Sequence, residues 1–208
     1  MNNIIELVRQ EIIDRSNKFE ELTKGTKEEY NIYEKHIKYV HKYVVLLSKD
    51  KDVDKEVLEI AALLHDVSMN DINLDRENHN VYGASIAEDI LMKYNYPKDK
   101  IDLVKKCILN HSSKRKEFRT TLEEKILVDA DGLSHFDSID SLYSFASTVK
   151  EMDDNEALLY LKDKLTKDYS ELSKDILYLV QDKYDRVMQA NTIDEIYDLI
   201  NVDQKKEK

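Results

Sequence analysis

A chain of 208 residues with 41% hydrophobic content can bury a real core as one helical unit, and its three glycines and single proline leave too few turns for a sandwich or barrel. A formal net charge of −11, within a charged fraction of 36%, opposes binding to nucleic acid and to anionic membrane surfaces. No run approaches the roughly 20 apolar residues that span a bilayer, and Met1 to Glu21 lacks the apolar stretch of a signal peptide, so a cytoplasmic protein with no membrane partner is expected.

The composition predicts an all-α fold, and helices can be followed along the chain. Ile4, Ile5, Leu7, Val8, Ile12 and Phe19 recur at helical spacing, giving an N-terminal helix to about Leu22 that Thr23, Lys24, Gly25 and Thr26 break. From Lys27 to about Lys49 a long helix places Ile32, His36, Tyr39, Val40, Tyr43, Leu46 and Leu47 on one face, which turns His36 inward. After a charged turn from Asp50 to Asp54, the residues Val57, Ile60, Ala61, Leu64 and His65 share a face, with His65 and Asp66 at the C-terminal end of their helix. Ser68 to Asn78 reads as a polar loop, and His79 opens a helix running to about Tyr94. Pro97 begins the next helix, with Ile101, Val104, Ile108 and His111 on one side. The lone cysteine, Cys107, excludes an internal disulfide and reads as a packing residue of that helix.

Ser112 to Arg119 is a basic loop, after which Thr120 or Thr121 can cap a helix with Glu123 and Glu124 in its first turn and Ile126, Leu127, Ala130 and Asp131 beyond. Helices continue past Asp137 to about Asn201, with a stop and a new start between Asn191 and Glu195, and Gln204 to Lys208 reads as a frayed tail. The expected organisation is a single compact unit, 1–208, in which a helical extension over 151–208 packs on a core over 27–150.

His36, His65 and Asp131 fall on faces where the pattern asks for Leu or Val. Burying charged groups without a partner costs several kcal/mol each, and a divalent cation is one partner that offsets the cost. Two imidazoles and two carboxylates suit Mn²⁺, Fe²⁺, Co²⁺ or Ni²⁺, while a shell rich in carboxylate and water also takes Mg²⁺. A lone inward histidine is more often a hydrogen-bonded core residue, so it is the ordered set, with the adjacent pair His65-Asp66 at a helix end, that points to metal.

The segments HIKYVHKYV at His36, EIAALLHDVS at His65 and Asp66, and EEKILVDADGL at Asp131 resemble the HD-domain superfamily of metal-dependent phosphohydrolases over about Tyr33 to Phe145. The resemblance implies a helical bundle of the HD type, His36, His65, Asp66 and Asp131 as metal ligands, and one or two divalent ions per chain. HNVYGASIAEDIL and CILNHSS supply His79 and His111, which match additional histidines of many relatives and join Asp66 as catalytic candidates, either as acid/base groups or as ligands of a second metal. His41 points about a third of a turn away from His36 and reads as an outer or packing residue. Two departures stand out: Gly132 follows the last aspartate where many relatives have arginine or another side chain, and VSMND replaces a frequent Ile-Gly continuation after the doublet.

The implied activity is cleavage of a phosphate ester, in a nucleotide or another small phosphorylated metabolite, by a metal-activated water. Lys114, Arg115, Lys116 and Arg119, directly after His111, can grip a substrate phosphate, or can equally form a solvated surface loop. Action on signalling nucleotides is a special case without a separate specificity domain to support it. The rival reading is a catalytically idle metal-binding sensor or scaffold, in which the helices beyond Met152 and their tyrosines serve a partner surface, such as that of a homodimer.

Overall fold

Helices build all of the regular structure in the computed structural model, which describes residues 3–198, and no strand occurs among the described residues. The chain divides into two compact units between Asp131 and Gly132, whereas the sequence places the edge of the core at 150. No helix of the described residues is long and apolar enough to cross a membrane.

The first unit opens with α1, Ile4–Thr23, whose first turn is capped by the Asn3 side chain accepting from the Ile5 N–H at 3.1 Å. Val8, Ile12 and Phe19 form its buried stripe. The break expected after Leu22 is a turn in which Gly25 takes φ 75°, a conformation that disfavours any side chain.

Helical structure resumes at 32, later than the Lys27 expected, and begins with a π-turn, Tyr33–Ile37, that runs into α2, Lys38–Ser48. A π-turn holds one more residue than an α-turn. Beyond it Val40 and Tyr43 are buried as expected, but the buried face also takes in His41, Val44 and Ser48, while Leu46, expected inside, is 51% exposed.

Helix α3, Lys55–Leu64, starts at Asp54, whose carboxylate accepts from the Val57 N–H at 3.1 Å. Val57, Leu58, Ile60, Leu63 and Leu64 are all fully buried, so beyond its first turn α3 is covered on most sides, by α1, α2 and α5 among others. Each of its large side chains contributes about 1.5–3 kcal/mol by leaving water. Two short 3₁₀ turns, Val67–Asn70 and Arg76–Asn78, bridge to α4, His79–Lys93, which packs along α5, Lys98–His111. Cys107 is buried in α5, as its place in the pattern predicts. The basic segment forms 3₁₀ turns over Ser113–Phe118 and leads into α6, Leu122–Asp137, within which the first unit ends.

In the second unit, α7 (Ile139–Ser144), a π-turn (Phe145–Val149), α8 (Asp154–Glu171) and α9 (Gln181–Gln189) gather around Leu133, Phe136, Ala146, Leu158, Leu161, Leu165 and Val187. Asp153 and Glu156 close a reciprocal cap at the start of α8. The stop and restart expected near Asn191 is present, with Thr192 Oγ accepting from the Glu195 N–H at 3.3 Å before a helical stretch at 193–198. The tail from Gln204 to Lys208 lies outside the described residues.

Candidate metal centre

Six side chains converge from five places in the first unit, and most of them stand at helix ends. His36 lies in the π-turn, His65 and Asp66 follow the last turn of α3, His79 is the first residue of α4, His111 is the last of α5, and Asp131 is on α6. The structure thus brings together every histidine and aspartate singled out as a ligand or catalytic candidate.

Their atoms sort into two groups about the Asp66 carboxylate. In the first, His36 Nε2 stands 3.1 Å from His65 Nε2, 3.2 Å from Asp131 Oδ1 and 3.6 Å from Asp66 Oδ2. His65 Nε2 lies 3.5 Å from the same Asp66 oxygen and 3.9 Å from Asp131 Oδ1. In the second group, Asp66 Oδ1 faces His111 Nε2 at 3.6 Å and His79 Nε2 at 3.7 Å, and the two ring nitrogens are 3.1 Å apart. Neighbouring ligands of an octahedral ion, with bonds of about 2.1 Å, stand about 3 Å apart. The spacings fit a cation among His36, His65 and Asp131, and another where Asp66 meets His111 and His65; His79 Nε2, 3.1 Å from His111 Nε2 and 3.7 Å from Asp66 Oδ1, stands within reach of the second.

The hydrogen bonds on the far sides of the rings decide what the inward nitrogens can do. Nδ1 of His65 donates to the Ala62 carbonyl at 2.8 Å, Nδ1 of His79 to Arg76 at 2.8 Å, and Nδ1 of His111 to Ile108 at 2.6 Å. In each case the acceptor is three residues back, so the local helical turn fixes the ring. With Nδ1 protonated, the neutral ring presents a lone pair at Nε2. His79 and His111 consequently aim two lone pairs at each other across 3.1 Å, an arrangement that a proton or a metal ion must reconcile. Asp66 Oδ1, buried and with no hydrogen-bond partner, points into the same corner. An orphaned carboxylate oxygen beside two facing ring nitrogens is a donor set that fits a divalent cation.

Electrostatics prepare the first group in the same sense. Burial pushes His65 down to about 4, against the pull of Asp66 and Asp131, so its ring is neutral at pH 7. Burial acts to raise Asp66, yet the surrounding histidines, His65 foremost, hold it far below the ordinary carboxylate range and keep it an anion. His111 is raised despite its burial, because the Asp66 carboxylate favours its protonated form.

A layer of supporting contacts holds these side chains in place. The Ser68 hydroxyl donates to the His79 carbonyl at 2.8 Å, and the Asn80 amide donates to the Leu109 carbonyl at 2.7 Å, joining the start of α4 to the end of α5. Gly83 lets α4 approach so closely that a Cβ there would lie 2.9 Å from the His65 carbonyl oxygen. Asn110 donates to buried Glu124 at 2.6 Å, and Glu124 in turn accepts the N–H groups of Thr120 at 2.9 Å and Thr121 at 2.8 Å, so the cap expected at Thr120 or Thr121 is built reciprocally with Glu124. The sequence reading passed over Ser68, Asn80, Gly83 and Asn110. One signal was available, since an asparagine adjoins each histidine of the second group, Asn80 beside His79 and Asn110 beside His111.

The four basic residues after His111 are put to different uses. Arg119 donates to the backbone carbonyls of Asn110, His111 and Ser112. Arg115 donates to the Asn110 side chain at 2.9 Å and stacks on Phe118. Lys114 and Lys116 are exposed, with the Lys114 ammonium 3.6 Å from Glu77. Outside the cluster, His41 is buried and bonds Glu59 at 2.9 Å, which is the packing rather than the outer position of the two expected.

Comparison with known proteins agrees with this geometry. Residues 33–135 match the HD domain family, and that span holds all six converging side chains. An uncharacterized protein of Clostridium beijerinckii is 30% identical over 110 residues, which is 50% of this chain and 66% of that protein's length. No solved structure gives a significant match. Through residues 33–135 the chain belongs to the HD-domain superfamily, a family of metal-dependent hydrolases.

Proposed function

We propose that the protein is a phosphohydrolase that cleaves a phosphate ester in a nucleotide or another small phosphorylated metabolite, using two divalent cations held on either side of Asp66. The observation that carries this reading is the Asp66 carboxylate, with Oδ2 directed to His36 and His65 and the orphaned Oδ1 to His79 and His111. Bound divalent cations supply Lewis-acid activation of water and neutralise charge on a transferring phosphoryl group.

The chain's own groups divide the work. His36, His65, Asp66 and Asp131 would give the first position four protein ligands, the fuller of the two sets. Asp66, His79 and His111 give the second only three, which leaves room for substrate oxygens. His65 is fully buried beneath, whereas the side chains of His79 and Asp131 are 26% and 24% exposed and form the rim that a substrate meets. On this reading His79 and His111 serve as ligands rather than as acid/base groups. Lys114 is the cation we assign to substrate phosphate, because its contact with Glu77, two residues before His79, sets it beside that rim. A small substrate and no nucleic-acid partner suit the acidic chain.

The test is metal content of the gently purified protein, followed by phosphate release from a panel of nucleotides and an aryl phosphate with Mn²⁺, Co²⁺, Ni²⁺ or Mg²⁺ added. Bound metal with turnover that Asp66→Ala removes is the expected result. Bound metal without turnover on any of these would assign the chain to the sensor or scaffold class instead. Neither metal nor turnover would make the inward cluster structural.

A further inference from the structure

Arg119 belongs by sequence to a basic run suited to phosphate, but its guanidinium is turned back onto the helix that carries His111. Nε donates to the Asn110 carbonyl at 2.9 Å, and Nη2 donates to the carbonyls of His111 and Ser112, each at 3.0 Å. The last carbonyls of an α-helix have no partner within it, and a cation at that end also meets the negative pole of the helix dipole. Arg119 therefore closes α5 on the very residues that bear the second group's ligand.

Its neighbours reinforce the arrangement from the side. Arg115 Nε donates to Asn110 Oδ1, and Asn110 Nδ2 donates to Glu124, which lies in the first turn of α6. Asn110 is thus held through both its backbone and its side chain, and His111 follows it directly. The His111 ring is pinned at Nδ1 by Ile108, whose carbonyl belongs to the same last turn. If that turn frays, the bond that orients the ring frays with it.

We infer that Arg119 is a positioning residue for the second metal: it fixes the C-terminal turn of α5 so that His111 Nε2 meets Asp66 Oδ1 and His79 Nε2. The inference rests on the two-cation reading above and gives Arg119 a role other than substrate binding. Partners that orient a ligand typically govern about 10- to 100-fold of metal affinity. Lysine can reach only part of a site that uses two nitrogens of one planar group, so Arg119→Lys should recover part of what Arg119→Ala loses.

The experiment titrates metal-free wild type, Arg119→Ala and Arg119→Lys with Co²⁺, following stoichiometry by calorimetry and the ligand environment by the visible Co²⁺ spectrum. Wild type should bind two ions. Arg119→Ala should bind the first with unchanged affinity and the second about 10- to 100-fold more weakly, and Arg119→Lys should fall between. KM for an aryl phosphate, measured at saturating metal, should not move. Two ions bound by Arg119→Ala with wild-type affinity overturn the inference and leave the two-cation reading standing, whereas a single ion in wild type overturns both. Equal weakening of both ions in Arg119→Lys, the milder variant, also overturns it, because the effect is then general to the fold. A KM increase of tenfold or more with both ions retained returns Arg119 to the substrate.

Discussion

Gly83→Ala sets two opposing effects against each other at a position that matters for the candidate metal centre. Alanine is favoured over glycine inside a helix by about 1 kcal/mol, so on propensity alone the change stabilises α4. The structure opposes it, because the new Cβ would lie 2.9 Å from the His65 carbonyl oxygen and 3.4 Å from Ile108 Cγ2. That oxygen is backbone and cannot rotate aside, so α4 must retreat by about 0.5 Å to reach ordinary contact, at a cost of about 1–3 kcal/mol. His79 lies one helical turn before Gly83 on the same face, so the retreat carries His79 Nε2 away from Asp66 Oδ1, from which it already stands 3.7 Å. A displacement of 0.5 Å is about the tolerance of a preorganised site. Urea unfolding of the metal-free protein should therefore show a net loss of about 1 kcal/mol, and metal titration a second ion bound about tenfold more weakly with the first unaffected. A variant that is more stable by about 1 kcal/mol and binds both ions like wild type would refute the close approach of α4 to the end of α3.

Asp66→Ala or His65→Ala should abolish metal retention through dialysis, read by elemental analysis, since each removes a donor from the more complete first position. His111→Ala should keep the first ion while losing most turnover, a split that would be absent if the second group took no part in the reaction. Glu124 makes acid stability testable. Burial acts to raise its pKa, but hydrogen bonds from Asn110, Thr121 and Thr120 hold it down to about 2 from the ordinary 4.5. Because the folded value is the lower one, the stabilisation is complete above pH 4.5 and is lost as pH falls from there towards 2; it amounts to about 3 kcal/mol. Glu124→Gln should be less stable at neutral pH and should lose less on acidification, as measured by urea midpoints of metal-free protein between pH 6 and the acid limit of folding.

Much of the fold was legible because its signals are local. Periodic apolar residues and capping side chains placed the start of α1, α4 and α6 and the end of α3 within a residue or two, and the same periodicity singled out His36 and His65, which are buried, whereas Asp131, expected on an apolar face, is partly exposed at the rim. The π-turn at Tyr33–Ile37 escaped this reading, since an even helical period assumes one residue fewer per turn there, and the inward face beyond it was misplaced at Leu46.

By itself the sequence determined that the chain is helical and that it carries an ordered set of histidines and aspartates of the kinds that ligate metal, because helical period and residue chemistry are read within a few positions. Only the tertiary structure decided that the Asp66 oxygens face two different groups, that Gly83 lies against His65, that Asn80 reaches Leu109 and that Arg119 closes the helix of His111. Those relations join residues on different elements, and no spacing along one helix encodes the distance to another.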